Sequence, residues 1–277
     1  MTIGYGAGQN SENTAIGVGA LANSTIYGQR NTAIGNGAML RYNGTSFDNN
    51  TSVGYANMQG LTTGEGNTSI GGETLLGLGS GSHNTAIGNH TLMSTTGNTN
   101  TALGANSGGT ITGGSSNTTI GFAADVAVGT FVNATAIGAE AIVDASNTIQ
   151  LGNNDVTNVN TSADMFARSF NATSDKRLKR NIAPLHNSIG AIMQLKPVSY
   201  EKKSTLASTN YSIKENGFIA QELQKVMPSL VTEGTDKDKL LSVNYIALIP
   251  VLTKAIQEQQ NEIEELKKMV ERLIKKK

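Results

Sequence analysis

A chain of 277 residues has room for about two domains of ordinary size, and 21 Lys and Arg against 21 Asp and Glu give a formal net charge of zero. The absence of Cys excludes disulfides and thiolate metal sites, and no apolar run approaches the ~18 residues of a spanning helix. The zero balance hides an asymmetry: residues 1–173 hold three Arg, no Lys and nine acids, a balance of −6, whereas the remainder carries 18 bases and 12 acids, or +6. Those bases alternate with acids and apolar residues, as on a solvated helical surface, so no nucleic-acid partner is expected. The opening residues Met1-Thr2-Ile3-Gly4-Tyr5-Gly6 show no charged region followed by an apolar one, so no secretory signal is expected. They enter directly in repeat-like sequence, as an excised piece of a longer protein would.

From residue 1 to about 152 one pattern recurs, Asn-Thr-(Ala/Ser/Thr)-(Ile/Val/Leu)-Gly, as in Asn13–Gly17, Asn67–Gly71 and Asn117–Gly121. Its terminal glycines, from Gly17 to Gly138, are separated by 18, 19, 17, 17, 16, 17 and 17 residues, and the last step, to Gly152, is 14. A fixed period of this kind is the signature of a solenoid. Each unit has a short β-branched run, too short for a helix, closed by a glycine that permits a sharp corner. Alternation sets Thr14 and Ile16 on one face and Ala15 and Gly17 on the other. The expected architecture is a parallel β-roll with a narrow core of Ile and Ala and polar corners.

One such roll leaves a flat apolar edge that three rolls side by side would cover. The pattern resembles the head domains of trimeric autotransporter adhesins, whose coils form a trimeric parallel roll. The resemblance covers residues 1–152 and implies architecture rather than ligand.

No catalytic constellation stands out in this half. His83 and His90 read as polar corner residues rather than metal ligands, the nine acids form no pair of the kind glycosidases use, and neither a metal nor a cofactor is expected. One corner, Arg41-Tyr42-Asn43-Gly44-Thr45-Ser46-Phe47-Asp48, gathers two aromatics and two charges in one of the longest units. Arg41, Tyr42 and Phe47 are the candidate receptor-binding residues, against the plainer reading of a tolerated insertion. Residues 153–173 lose the glycine period and read as an extended linker, with Phe166 and Phe170 as anchors.

At Ser174-Asp175-Lys176-Arg177-Leu178-Lys179 the composition changes. Serine is a nucleophile only when a base takes its proton, and Lys179 serves as that base only if burial lowers its pKa. On spacing alone a helix N-cap at Ser174 and Asp175 is the commoner reading. The order Ser-Asp-x-Arg-x-Lys-x-x-Ile is followed by Leu195-Lys196-Pro197-Val198-Ser199-Tyr200, Gly217-Phe218-Ile219-Ala220-Gln221-Glu222-Leu223, Pro228 and Val243-Asn244-Tyr245. This series resembles the intramolecular chaperone domain of phage tailspikes and fibres, the peptidase S74 family. The resemblance runs over 174–277 and implies a domain that trimerises, folds the upstream β-structure and then cuts itself off. It implies Ser174 as nucleophile and Lys179 as base, with the Ser174–Asp175 bond, or the one before Ser174, as the bond cut. Asp175 orients the pair or replaces Lys179; the residues leave both open. The Gly217–Leu223 box is expected to pack the core.

Ile249, Leu252, Ile256, Gln259, Ile263, Leu266, Val270 and Leu273 alternate spacings of three and four, an a/d seam that predicts a coiled coil over 243–277. Ile and Val at a with Leu at d alone favour two strands; Gln259 in the d layer and both resemblances favour three. The expected molecule is mainly β plus α: a repetitive β-roll, a linker, and a small α+β domain ending in a long trimeric helix. The expected function is a homotrimeric phage tail fibre, located on the virion, with a host surface receptor or glycan as partner, no membrane segment and a one-time serine endopeptidase acting in cis. The alternatives are a bacterial surface adhesin with the same parts and a fibre with a non-cleaving clamp.

Overall fold

A computed structural model of the chain describes residues 2–4, 12–22, 28–40, 48–161, 165–203, 205–234 and 237–276. The chain divides into two units, 1–167 and 168–277.

In the first unit the repeats build one parallel ten-stranded sheet: Thr2–Ile3, Thr14–Ile16, Thr32–Ile34, Thr51–Val53, Thr68–Gly72, Thr85–Asn89, Thr101–Leu103, Thr118–Ile120, Thr135–Ile137 and Ile149–Leu151. From Thr14 to Ile137 each rung repeats the register, Thr beside Thr and Ile, Val or Leu beside its equivalent. Asp125–Val126 and Ile142–Val143 form a second, short parallel pair.

The core differs from the sequence expectation in which residue it takes. From Thr14 to Ile137 the residue after the leading Thr points inward: Ala15, Ala33, Ala86, Ala102 and Ala136 are buried, with Ser52, Ser69 and Thr119 at the same position. They pack against Leu21, Met39, Met58, Leu75 and Leu92 from across the coil. The larger aliphatic residue that follows points out, leaving Ile70, Leu103, Ile120 and Ile137 exposed. The coil is too narrow for two bulky layers, so the strand contributes small side chains and the opposite wall supplies the volume.

A row of buried asparagines holds the coils to one another. Asn84 N–H donates to Asn67 Oδ1 at 2.8 Å, and Asn100 N–H donates to Asn84 Oδ1 at 2.9 Å. The Asn84 amide in turn donates to the carbonyl of Gly97 at 2.9 Å. The same links run through Asn13, Asn31, Asn50 and Asn117, and the row ends where Ala134 N–H donates to Asn117 Oδ1 at 2.9 Å. At the other end of each strand the glycine is obligatory: Gly54 and Gly71 have φ of +130° and +129°, and a Cβ on either would collide with the glycine carbonyl of the next coil.

Among the described residues of the second unit the α-helices are α1 (Ser188–Ile192), α2 (Ala220–Val226) and α3 (Leu248–Ile274). Two antiparallel hairpins accompany them, Val198–Lys202 with Ile213–Gly217 and Val231–Glu233 with Leu241–Val243. Leu223, Met227, Leu230 and Leu248 form a small core, with Leu195, Phe218, Val243 and Val251 against it. The long helix starts at Leu248 rather than at 243, because Val243 completes a hairpin and Asn244 Oδ1 accepts the Ala247 N–H at 3.0 Å, turning the chain into the helix.

Asn84→Ala leaves the buried Asn100 N–H and Gly97 carbonyl without partners, and each unsatisfied group costs ~1–3 kcal/mol. The expected result is loss of about 2 kcal/mol or more of roll stability, read as a lower denaturant midpoint with unchanged slope.

Candidate functional site

The residues from Ser174 to Asn181 form a compact local structure on their own backbone. Lys176–Leu178 makes one 3-10 turn capped by Asp175, whose φ of −65° and ψ of 136° are extended and whose Oδ1 accepts the Arg177 N–H at 2.8 Å. The cap is thus Asp175, and Ser174 stands one residue outside the turn. Lys179 N–H donates to the Lys176 carbonyl at 3.0 Å, closing the turn and carrying the Lys179 side chain back over its start. There Lys179 Nζ donates to Ser174 Oγ at 2.5 Å.

Asp175 is engaged on both oxygens. Arg177 Nε reaches Oδ1 at 3.0 Å and Nη2 reaches Oδ2 at 2.8 Å, a two-pronged pair beside the backbone cap. The guanidinium, and after it the Arg177 N–H, hold the carboxyl below the usual carboxylate range. The carboxylate in turn raises the guanidinium pKa. Asp175 therefore has to release Arg177 before it can accept a proton at neutral pH. Ser174 and Lys179 are both exposed in the single chain. A lysine can remove a proton only as the free amine.

The Gly217–Leu223 box does pack the core. Phe218 N–H donates to the Tyr245 hydroxyl at 3.1 Å, and the two rings stack with centroids 6.1 Å apart. A Cβ on Gly217 would collide with the Tyr245 hydroxyl, which explains the glycine. The Arg177–Asp175 clamp is the part that sequence reasoning missed; its signal was the i, i+2 spacing of opposite charges across a cap.

Residues 174–232 match the peptidase S74 family, chaperone of endosialidase. This S74 segment takes in the capped turn, α1, the first hairpin and α2, while α3 lies beyond it. The chain is also similar to the long tail fiber protein Gp37 of several phages. That of Enterobacteria phage M1 is 36% identical over 96 residues, covering 34% of this chain and 38% of that protein. That of Salmonella phage S16 is 32% identical over 121 residues, covering 40% of this chain and 16% of that protein, and that of Enterobacteria phage T2 is 34% identical over 95 residues, 34% and 7%. The chain thus spans less than two fifths of the length of these relatives.

In the roll, His83 and His90 occupy left-handed corners, φ 58° and 53°, and His90 Nε2 lies 3.0 Å from Glu73 Oε2. Arg41, Tyr42 and Phe47, the candidate receptor corner, lie outside the described residues. No helix among the described residues is long and apolar enough to cross a membrane.

Because the clamp holds Asp175 ionised, the contribution of the cap is complete above the ordinary carboxylate pKa of about 3.9 and is lost only as acid carries the pH down through the depressed value. Carboxyl-carbon NMR is expected to put the Asp175 midpoint below that ordinary value, and Arg177→Ala is expected to return it upward.

Proposed function

We propose that this chain is a homotrimeric phage tail-fibre protein whose downstream domain aligns three chains for folding and then releases itself by cleavage at Ser174. The observation that carries the reading is the 2.5 Å contact between Lys179 Nζ and Ser174 Oγ at the head of the S74 segment. Lys179, once deprotonated, takes the Ser174 hydroxyl proton; Oγ attacks a peptide carbonyl, and the proton passes to the departing amine. Water then opens the ester to a carboxylate. Asp175 keeps the turn in shape through Arg177 and takes no proton.

The bond proposed to break is Ser174–Asp175, with the bond before Ser174 as the alternative. Within one chain, attack on the Thr173 carbonyl closes a five-membered ring, whereas attack by Ser174 on its own carbonyl would close a strained four-membered one. Cleavage after Ser174 therefore calls on the Oγ of a neighbouring copy.

Support for assembly comes from α3. Its first half packs on α1 through the Leu248, Val251 and Ala255 side, where Ile189 N–H donates to Glu258 Oε2 at 3.0 Å. The a/d seam looks elsewhere: Ile256 is 65% exposed and Leu266 is 59% exposed. Covering such side chains is worth ~1.5–3 kcal/mol each. Packing of three copies would also supply the burial that Lys179 lacks, so that cleavage comes after assembly. A host surface receptor or glycan is the proposed partner of the fibre. A clamp that never cuts is the second reading, favoured by the exposure of Ser174 and Lys179; a bacterial adhesin built from the same parts is a third.

Intact mass of the wild-type chain beside Ser174→Ala and Lys179→Ala tests the chemistry. Two fragments from wild type and one whole chain from each variant are expected, and the new N-terminus, Asp175 or Ser174, identifies the bond. Whole wild-type chains that still trimerise would leave the clamp. Separately, Leu266→Asp is expected to shift the native mass from trimer to monomer.

A further inference from the structure

Between the chain leaving α1 and the helix α2 the second unit opens a cavity of about 160 Å³. Leu195, Phe218, Leu223 and Val226 of its lining belong to the core of the unit, so its floor is apolar. Lys196, Glu222 and Lys225 of the lining are exposed and form its rim. An apolar cavity of roughly 150 Å³ takes one benzene-sized ring.

The chain carries such a ring close to Ser174. Residues 168–174 are exposed and belong to no helix or strand. Within them Phe170 is 63% exposed, so it is not seated in a cavity of its own chain. Drawn out as a strand, Arg168 and Phe170 lie on one side about 7 Å apart, and Phe170 lies roughly 13 Å ahead of Ser174. Neither Arg168 nor Glu222 has an ionic partner among the described residues. The ring matches the floor, and Glu222, between two lysines, is the rim position that suits the guanidinium.

Cleavage after Ser174 calls on the Oγ of a neighbouring copy, and a segment cut by another chain has to be held. We propose that this cavity is the grip. It takes Phe170 of a neighbouring copy, with Arg168 against Glu222, and draws residues 171–174 of that copy toward Ser174 of the copy that holds it. The proposal rests on the self-cleavage reading above and names the surface that selects the bond. Phe170 is a positioning residue, set apart from the bond that breaks. Oγ joins the Ser174 carbonyl carbon of the gripped chain and the bond to Asp175 breaks. The hydroxyl proton passes through Lys179 to the departing amine, and water opens the ester.

Intact and native mass are read on full chains carrying Phe170→Ala, on chains carrying Ser174→Ala, and on trimers co-expressed from both. Each variant alone is expected to remain a trimer. Alone, Ser174→Ala stays whole, and Phe170→Ala is cut at least about tenfold more slowly than wild type. In mixed trimers the Ser174→Ala chains, which keep the ring, are cut by their neighbours while the Phe170→Ala chains stay whole; fragment masses tell them apart. Glu222→Lys slows cleavage, and Arg168→Glu added to it restores the rate. Three results overturn the grip and leave the Ser174 chemistry standing: Phe170→Ala chains cut as fast as wild type, Ser174→Ala chains left whole in mixed trimers, or a double variant as slow as Glu222→Lys. Wild-type chains that stay whole overturn the cleavage reading and the grip with it.

Discussion

Each coil lends its asparagine to the next: the Oδ1 of Asn67 receives the N–H of Asn84, and the Oδ1 of Asn84 receives that of Asn100. The amide also reaches across its own coil to a carbonyl that has no strand partner, Gly81 for Asn67 and Gly97 for Asn84. One side chain thereby satisfies two backbone groups that would otherwise be buried and unpaired. An interior made of Ala, Ser and a few Leu and Met cannot supply much burial per coil, so the saturation of polar groups fixes the shape. Strand register, the outward Ile and the placement of the corners all depend on that constraint.

In the assembly proposed above, the regularity has a cost that the second unit would answer. Because Thr lies beside Thr, and Ile, Val or Leu beside one another, at nearly every rung, one roll shifted by a full coil against another would keep most of its contacts. Such surfaces specify their mutual register poorly, and parallel, non-local pairing is slow to nucleate. A domain with an irregular core, Phe218 on Tyr245 and Leu223 beside Met227, and a heptad helix has no such degeneracy. Fixing three chain ends there would set both stoichiometry and starting register for the rolls. If that domain then leaves, the barrier to reversing the process remains.

How much of this is legible in the sequence depends on the length of the pattern concerned. The roll and its rung positions are legible because the glycine step recurs through the whole first unit. The inside and outside of the strand are legible only in part: alternation separates Ala15 from Ile16, but hydrophobicity favours Ile for the interior, and coil width overrules it. The asparagine row is visible as a recurrence, yet its role as a buried link requires knowing that successive Asn residues are stacked. In the second unit the long helix α3 and its exposed apolar row are legible from the heptad, whereas its start is hidden because Val243 belongs equally well to a strand. At Ser174 the spacing suggests the meeting with Lys179; the Asp175–Arg177 clamp depends on a single turn that no periodicity announces.

The left-handed corners separate two duties within each coil. Their φ values near +55° at residues such as Arg30, His83 and Glu140 confine the strand to its rung, and the corner segments beyond it are free to lengthen. Loop closure becomes only slightly costlier with each added residue, and a coil can grow by several residues without disturbing its neighbours' hydrogen bonds. A lineage carrying this roll can therefore exchange corner segments one at a time, altering what its surface meets while the rod that presents them keeps the same calibre.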